Sequence, residues 1–249
     1  MFVSTDFLAI HYGIDNAIAK FFVDREPPAN NLYWHEKLLY LRPAPGYLFI
    51  PLMVDLLYKM GVEKEQLLSE PFVSHMEKIG HINALEETKQ ITAKEAIGQY
   101  AELASLNGKN PLWLLEVSKY FEGISSSEIG KLATPFKALH RGDAFLFSIA
   151  ALSFPPTLMV PIAEVWFALI STLLLLDDAD DLQSDKKTGE ENAFIESGLT
   201  AAGFSTLQQL VQHNLTIIGA LNKTMAAELN KCHQRMVALP QIVQLIKSH

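Results

Sequence analysis

Cysteine is almost missing from this chain. Cys232 is the only one in 249 residues, so no internal disulfide can form and the fold does not depend on an oxidising compartment. A basic surplus is missing as well: twenty Lys and Arg face twenty-eight Asp and Glu, for a formal net charge of −8. Nucleic-acid backbones are bound by clustered basic side chains, so no nucleic-acid partner is expected. Charged residues make up only 19% of the chain against 49% hydrophobic, the reverse of the composition that keeps a polypeptide disordered. The first 22 residues lack a basic n-region and place Asp6 and Asp15 among apolar side chains, so no secretory signal is expected. HExxH pairs, GxSxG elbows and glycine-rich phosphate loops are absent, which removes the common zinc-hydrolase, serine-hydrolase and nucleotide-binding patterns. What remains is the expectation of a cytoplasmic protein with an unusually apolar core.

The longest apolar stretch, residues 144–176, holds a single charge, Glu164. Crossing a bilayer takes about 20 apolar residues in one helix. Pro155 and Pro156 break this run and Pro161 suits a new first turn, leaving pieces at 144–153 and 161–176. Five acids follow within nine residues, in Asp177 to Asp185. Two helices buried inside a helical protein, rather than a membrane span, are expected, because a helix apolar all round must be covered all round.

Elsewhere the apolar period is helical and strand patterns are few. Helices are expected over 3–22, 31–41, 46–60, 63–69, 71–90, 92–106, 111–122 and 126–140, and after the acids over 190–202, 204–230 and 232–247. No repeat or composition shift marks a boundary. The predicted fold is a single all-α domain, residues 1–249, of about ten helices.

The acidic segment carries the chemistry. At about 100° per residue, Asp181, Asp185 and Asp178 all fall within about 100° of Asp177 on one helix face. Like charges one turn apart repel, and the C-terminal end of a helix disfavours anions. A divalent cation would compensate both; Mg²⁺ takes oxygen ligands and commonly bridges one or two carboxylates to a diphosphate. Phe167, Ile170 and Leu174 lie above the acids on the same face, as an apolar wall behind a charged mouth. The alternative is a helix that leaves the core at Asp177 with its acids facing water, and spacing alone leaves both readings open.

Asp177-Asp178-Ala179-Asp180-Asp181 is a DDxxD pattern and resembles the aspartate-rich signature of trans-isoprenyl diphosphate synthases and class I terpene synthases. Asp180 to Thr188 is similar to the second metal motif of terpene synthases, with Thr188 where that family has glutamate. Leu41-Arg42-Pro43 is similar to the family's Leu-Arg-Pro element, and Arg141-Gly142-Asp143-Ala144 resembles its diphosphate-binding helix start. Lys186-Lys187-Thr188-Gly189 resembles the lysine-bearing loop after the motif.

The resemblance implies a terpenoid-synthase-like bundle and metal-assisted departure of diphosphate from an isoprenyl substrate, leading to prenyl transfer or cyclisation. It implies Mg²⁺ on Asp177, Asp181, Asp178 and Asp185, with Asp177 and Asp181 catalytic, and diphosphate oxygens on Arg42, Arg141 or Lys137, and Lys186. The family's earlier aspartate-rich motif has no counterpart here; Glu86-Glu87 is the nearest acid pair. That departure implies a second function, a non-catalytic partner subunit or lipid-binding module of the same fold. A homodimer is compatible with this family type, although no sequence feature marks an interface.

Other residues carry plainer expectations. His75 and His81 are six apart, off a shared helix face. His140 either bonds helix-end carbonyls or meets a phosphate. Cys232 is expected to pack as a small side chain, and Ser125 to Ser127 to cap a helix.

Overall fold

Polar caps and proline set the helix starts. Asp15, Ser69, Thr92, Asn110, Thr200 and Asn222 each accept a backbone N–H of the helix that follows, and Pro71 and Pro111 occupy first turns, where a missing N–H costs nothing. A computed structural model describes residues 3–26, 28–32 and 48–247, with side chains through 244. Arg42 and nearly all of the helix expected over 31–41 lie outside the described residues. Those described contain thirteen α-helices and no strand, so the all-α class holds.

The first half comprises α1 (Thr5–Tyr12), α2 (Asn16–Asp24), α3 (Phe49–Lys59), α4 (Lys64–Leu67), α5 (Glu70–Glu87), α6 (Ala93–Asn107) and α7 (Pro111–Phe121). After an irregular stretch come α8 (Leu146–Ile149), α9 (Met159–Thr188), α10 (Ala193–Glu196), α11 (Ala201–Leu221), α12 (Lys223–Val237) and α13 (Pro240–Lys247).

Helix α9 is the axis of the fold. Its 30 residues span about 45 Å, running through the acids to a left-handed stop at Gly189, φ 78°. The acids are thus part of the helix and not a loop after it. Helices α3, α10, α11 and α12 and the turn at 137–140 pack around it, which is why it is apolar on every side. The stretch Pro156–Thr188 is long and apolar enough to cross a membrane by length and composition, and 67% of its most apolar window is buried against the rest of the chain. One polar group that enters this packing is paired within it: the Asn214 amide of α11 donates to Ser171 Oγ (2.9 Å) and Thr172 Oγ1 (3.1 Å).

Three expected helices take other forms. The 126–140 segment is irregular, with 3₁₀ turns at Gly130–Leu132 and Lys137–His140; Pro135 interrupts it and bars helical conformation just before it. Only Leu146–Ile149 of the 144–153 segment is α-helical. Its carbonyls are taken by distant donors: Leu146 O accepts from Trp113 Nε1 (2.8 Å), and Ala150 O from the amides of Lys109 (2.8 Å) and Asn110 (3.1 Å). The 190–202 segment keeps a single helical turn, α10, followed by Gly198 and Leu199 at positive φ. The helices expected over 3–22 and 204–230 are each split, at Gly13 (φ 62°) and at Asn222 (φ −143°).

Those two breaks meet. Asn222 Nδ2 donates to Tyr12 O (2.9 Å), Gly13 O (3.2 Å) and Asp55 Oδ2 (3.0 Å), while its Oδ1 accepts from Met225 N (3.0 Å). Asp55, fully buried, also accepts from Asp15 N and from Lys59. One amide therefore ties α1, α3 and the α11–α12 corner. Asn222→Ala leaves several buried partners unmet and is expected to cost about 2–4 kcal/mol, read as a fall in the urea midpoint at unchanged slope. Ser4→Ala, at the exposed cap of α1, is expected to cost about 1 kcal/mol or less.

Candidate functional site

Gly142 is where the irregular stretch touches α9. A Cβ built there would stand 2.8 Å from Ile170 Cδ1 and Cγ1, so only glycine lets the backbone lie this close. Its two neighbours then reach α9 on either side of the contact. Arg141 donates to Asp178 Oδ1 (2.6 Å) and to the Glu191 carbonyl (2.7 Å). Asp143 accepts from Trp166 Nε1 (2.9 Å) and from the Tyr120 hydroxyl.

The acidic face divides into two inward and two outward groups. Asp178 is 1% exposed; besides Arg141 it accepts the Ala193 amide on Oδ2 (2.6 Å). Asn192, the cap of α10, donates to the Asp178 carbonyl (2.7 Å) and to buried Asp185 Oδ2 (2.8 Å). These two acids fasten the 189–193 loop to the helix it has just left. Asp177 is half-exposed, 3.9 Å from Arg141, while Asp181 is exposed. Burial pushes Asp177 above the ordinary carboxylate range, and the charge of Asp181 one turn on adds to it. Burial likewise raises Asp178 to about 6, against the pull of Arg141 and the Ala193 N–H.

Beside Arg141 opens a cavity of about 350 Å³. Glu86 and Glu87 at the end of α5, Lys137, His140 and Arg141 of the irregular stretch, and Tyr100, Phe121 and Glu191 line it. Two of the expected diphosphate cations, Lys137 and Arg141, are thus brought together. Glu86-Glu87, the nearest acid pair in sequence, lines the same cavity. The Asn83 amide holds Glu87 (2.7 Å), whose carboxyl burial raises above its ordinary value. Lys186 is exposed in the last turn of α9 and does not line this cavity.

Of the expected tail wall, Phe167 and Ile170 are buried in packing and Leu174 is half-buried. Phe167 meets the edge of Tyr120, centroids 5.8 Å apart, and Ile170 lies under Gly142. Among the described residues, the apolar cavity between α3 and Trp166 measures about 20 Å³, room for about one water. Nor do three or more His, Cys, Asp or Glu converge on a point that could hold a metal, among the described residues. Asp177 and Asp181 remain as a two-carboxylate pair, which suits a hydrated Mg²⁺ shared with a phosphate ligand.

A cluster that the sequence did not single out lies beneath the cavity. Asp143 is 2% exposed, and burial raises it to about 6 although Tyr120 and Trp166 both donate to it. Tyr120, its phenol raised first by burial and then by the Asp143 charge, also lies 3.3 Å from His140 Nδ1. His140 Nε2 is 2.8 Å from the Thr134 carbonyl, the carbonyl-bonding role expected for it. Tyr120 and Trp166 had only an aromatic signature, one that core packing alone also produces. His75 is buried and Cys232 half-buried, each shifted by burial toward its neutral form, and Ser127 Oγ accepts the Gly130 amide, as a capping side chain does.

Searches of protein-family models, of curated proteins and of solved structures find no match to this chain.

Asp178 binds its proton more tightly folded than unfolded, so its contribution to stability falls as pH rises from about 4 to about 6. Asp178→Asn abolishes that component while keeping an acceptor for Ala193. The stability of the variant relative to wild type is therefore expected to rise with pH across this window. Urea midpoints at pH 4, 5, 6 and 7 measure it; a flat or falling difference contradicts the assignment.

Proposed function

We propose that the chain binds an isoprenyl diphosphate with Mg²⁺ and promotes departure of the diphosphate, as a divergent class I terpenoid-synthase-like enzyme acting in prenyl transfer or cyclisation. The observation that carries this reading is a cavity lined by Lys137 and Arg141 together with Glu86 and Glu87, with half-exposed Asp177 beside Arg141. Its basic side chains suit phosphate oxygens, and its acids and those along α9 suit a cation shared with the ligand. Asp177 and Asp181 would hold Mg²⁺, which supplies charge neutralisation on the departing group. Arg141 holds Asp178 in the free protein and has a 31% exposed side chain, so its remaining donor edge is placed to meet the ligand. The two-thirds buried apolar window of α9 supports reading it as a core helix.

A second reading, a non-catalytic subunit or lipid-binding module of the same fold, is favoured by one observation. Asp178 and Asp185, two of the four acids assigned to metal, already serve the 189–193 loop. Turnover separates the two. With Mg²⁺, geranyl or farnesyl diphosphate is expected to release pyrophosphate, alone or with isopentenyl diphosphate. Asp177→Asn/Asp181→Asn is expected to lower that rate by about a hundredfold or more. Binding of a non-hydrolysable analogue without turnover establishes the second reading, and turnover unchanged in the double variant refutes the first.

A further inference from the structure

A second cavity, again of about 350 Å³, is lined by α1, α9 and α12 and shares no residue with the one beside Arg141. Phe7, Leu176, Met236 and Leu239 give it apolar surface, and Tyr12, Asp180, Glu228 and Arg235 bring polar groups to it. Two of these groups are deeply placed: Tyr12 is 3% exposed and Glu228 9%. Each keeps an oxygen without a partner among the described residues. The Tyr12 hydroxyl makes no hydrogen bond. Lys231 Nζ (2.8 Å) and the more distant His11 Nδ1 (3.9 Å) both address Glu228 Oε2, which leaves Oε1 open. Buried oxygens are normally hydrogen-bonded, so these two mark a place for a donor.

Charge decides the kind of donor. Burial raises the Tyr12 phenol first, neighbouring Cys232 and Glu228 add to it, and Arg235 opposes them with less effect. At the Cys232 thiol, also raised first by burial, the charge of Glu228 again acts more strongly than that of Arg235 or of Lys231. The interior of the cavity is therefore electronegative, and Asp180 adds a second carboxylate to its lining. Arg235 is exposed in the last turn of α12, where salt and water screen it.

We propose that this cavity binds a small apolar monoamine in its ammonium form. The N–H groups meet Glu228 Oε1 and the Tyr12 oxygen, and the hydrocarbon body lies against Phe7, Leu176, Met236 and Leu239. An ammonium has donors only, which matches two open acceptors, and its bond to a carboxylate is charge-assisted. The rings of Phe7 and Tyr12, centroids 6.0 Å apart, add faces that attract a cation. A carboxylate or phosphate ligand meets repulsion from Glu228 and Asp180 instead. The cavity has the liquid volume of about twelve waters, which limits the body to about six to eight carbons.

The test is equilibrium dialysis of hexylamine against the full chain at pH 7, with hexanoate and 1-hexanol as probes of the same body. Hexylamine is expected to occupy one saturable site, and both other probes to bind about tenfold or more weakly. Glu228→Gln is expected to weaken hexylamine binding by about tenfold or more. Tyr12→Phe removes only a hydroxyl that bonds nothing in the free protein, so it is expected to keep the wild-type thermal midpoint and to bind hexylamine about threefold to tenfold more weakly. Absence of saturable hexylamine binding, hexanoate or 1-hexanol binding as tightly as hexylamine, or wild-type affinity in either variant overturns the proposal. None of these readouts uses Mg²⁺, a prenyl chain or Arg141, so the result stands or falls apart from prenyl diphosphate turnover.

Discussion

The contact between Arg141-Gly142-Asp143 and helix α9 is the constraint on which the rest of the site depends. Glycine permits a backbone approach at which a single methyl group would force the buried Ile170 side chain to shift, and the residues on either side convert that approach into two polar anchors. One joins Arg141 to Asp178, the other Asp143 to Trp166. Buried charges contribute little net stability once their desolvation is counted. Their value here is registration: the guanidinium finds its partner only when the irregular stretch sits at one position along α9. That position brings Lys137, His140 and Arg141 to the cavity that Glu86 and Glu87 also line.

The same helix explains why the acids are shared between architecture and chemistry. As α9 leaves its sleeve of neighbours it carries carboxylates on a face that is still partly covered. Asp178 and Asp185 are drawn inward and satisfied by Arg141, Asn192 and the Ala193 amide. Asp177 and Asp181 stay toward solvent, one turn apart and mutually repelling. The acidic face thus resolves neither into a wholly solvated cap nor into four converging ligands. Below it Phe167 and Ile170 are used up in packing, and the aromatic cluster of Tyr120, Trp166 and Asp143 occupies the space behind the cavity.

Much of the helical framework was legible residue by residue. Ser69, Thr92 and Asn110 with Pro71 and Pro111 place α5, α6 and α7 within about three residues of expectation. The aspartates stood out by residue type and spacing, and Arg141 and Lys137 only through the resemblance of Arg141-Gly142-Asp143-Ala144 to a diphosphate-binding helix start. That Glu86-Glu87 and Arg141 line one cavity was not legible, because no local signal connects the end of α5 to a turn more than fifty positions later. Nor was the irregular course of 126–152, where an apolar period suggests helix while Pro135 and the distant donors Trp113, Lys109 and Asn110 claim the backbone.

The amino-acid sequence by itself determined the all-α class, most helix starts and stops, the apolar axis and the existence of a carboxylate-bearing face. Those features arise from periodicity, caps and proline, which act over a turn or two of backbone. Only the tertiary structure decided which aspartates are buried, which glutamates share a cavity with the arginine, and that a carboxyl, a phenol and an imidazole share one hydrogen-bonded line. Desolvation and hydrogen-bond partnership are properties of neighbours in space, and at Asp178, Asp143 and Asn222 those neighbours come from far along the chain.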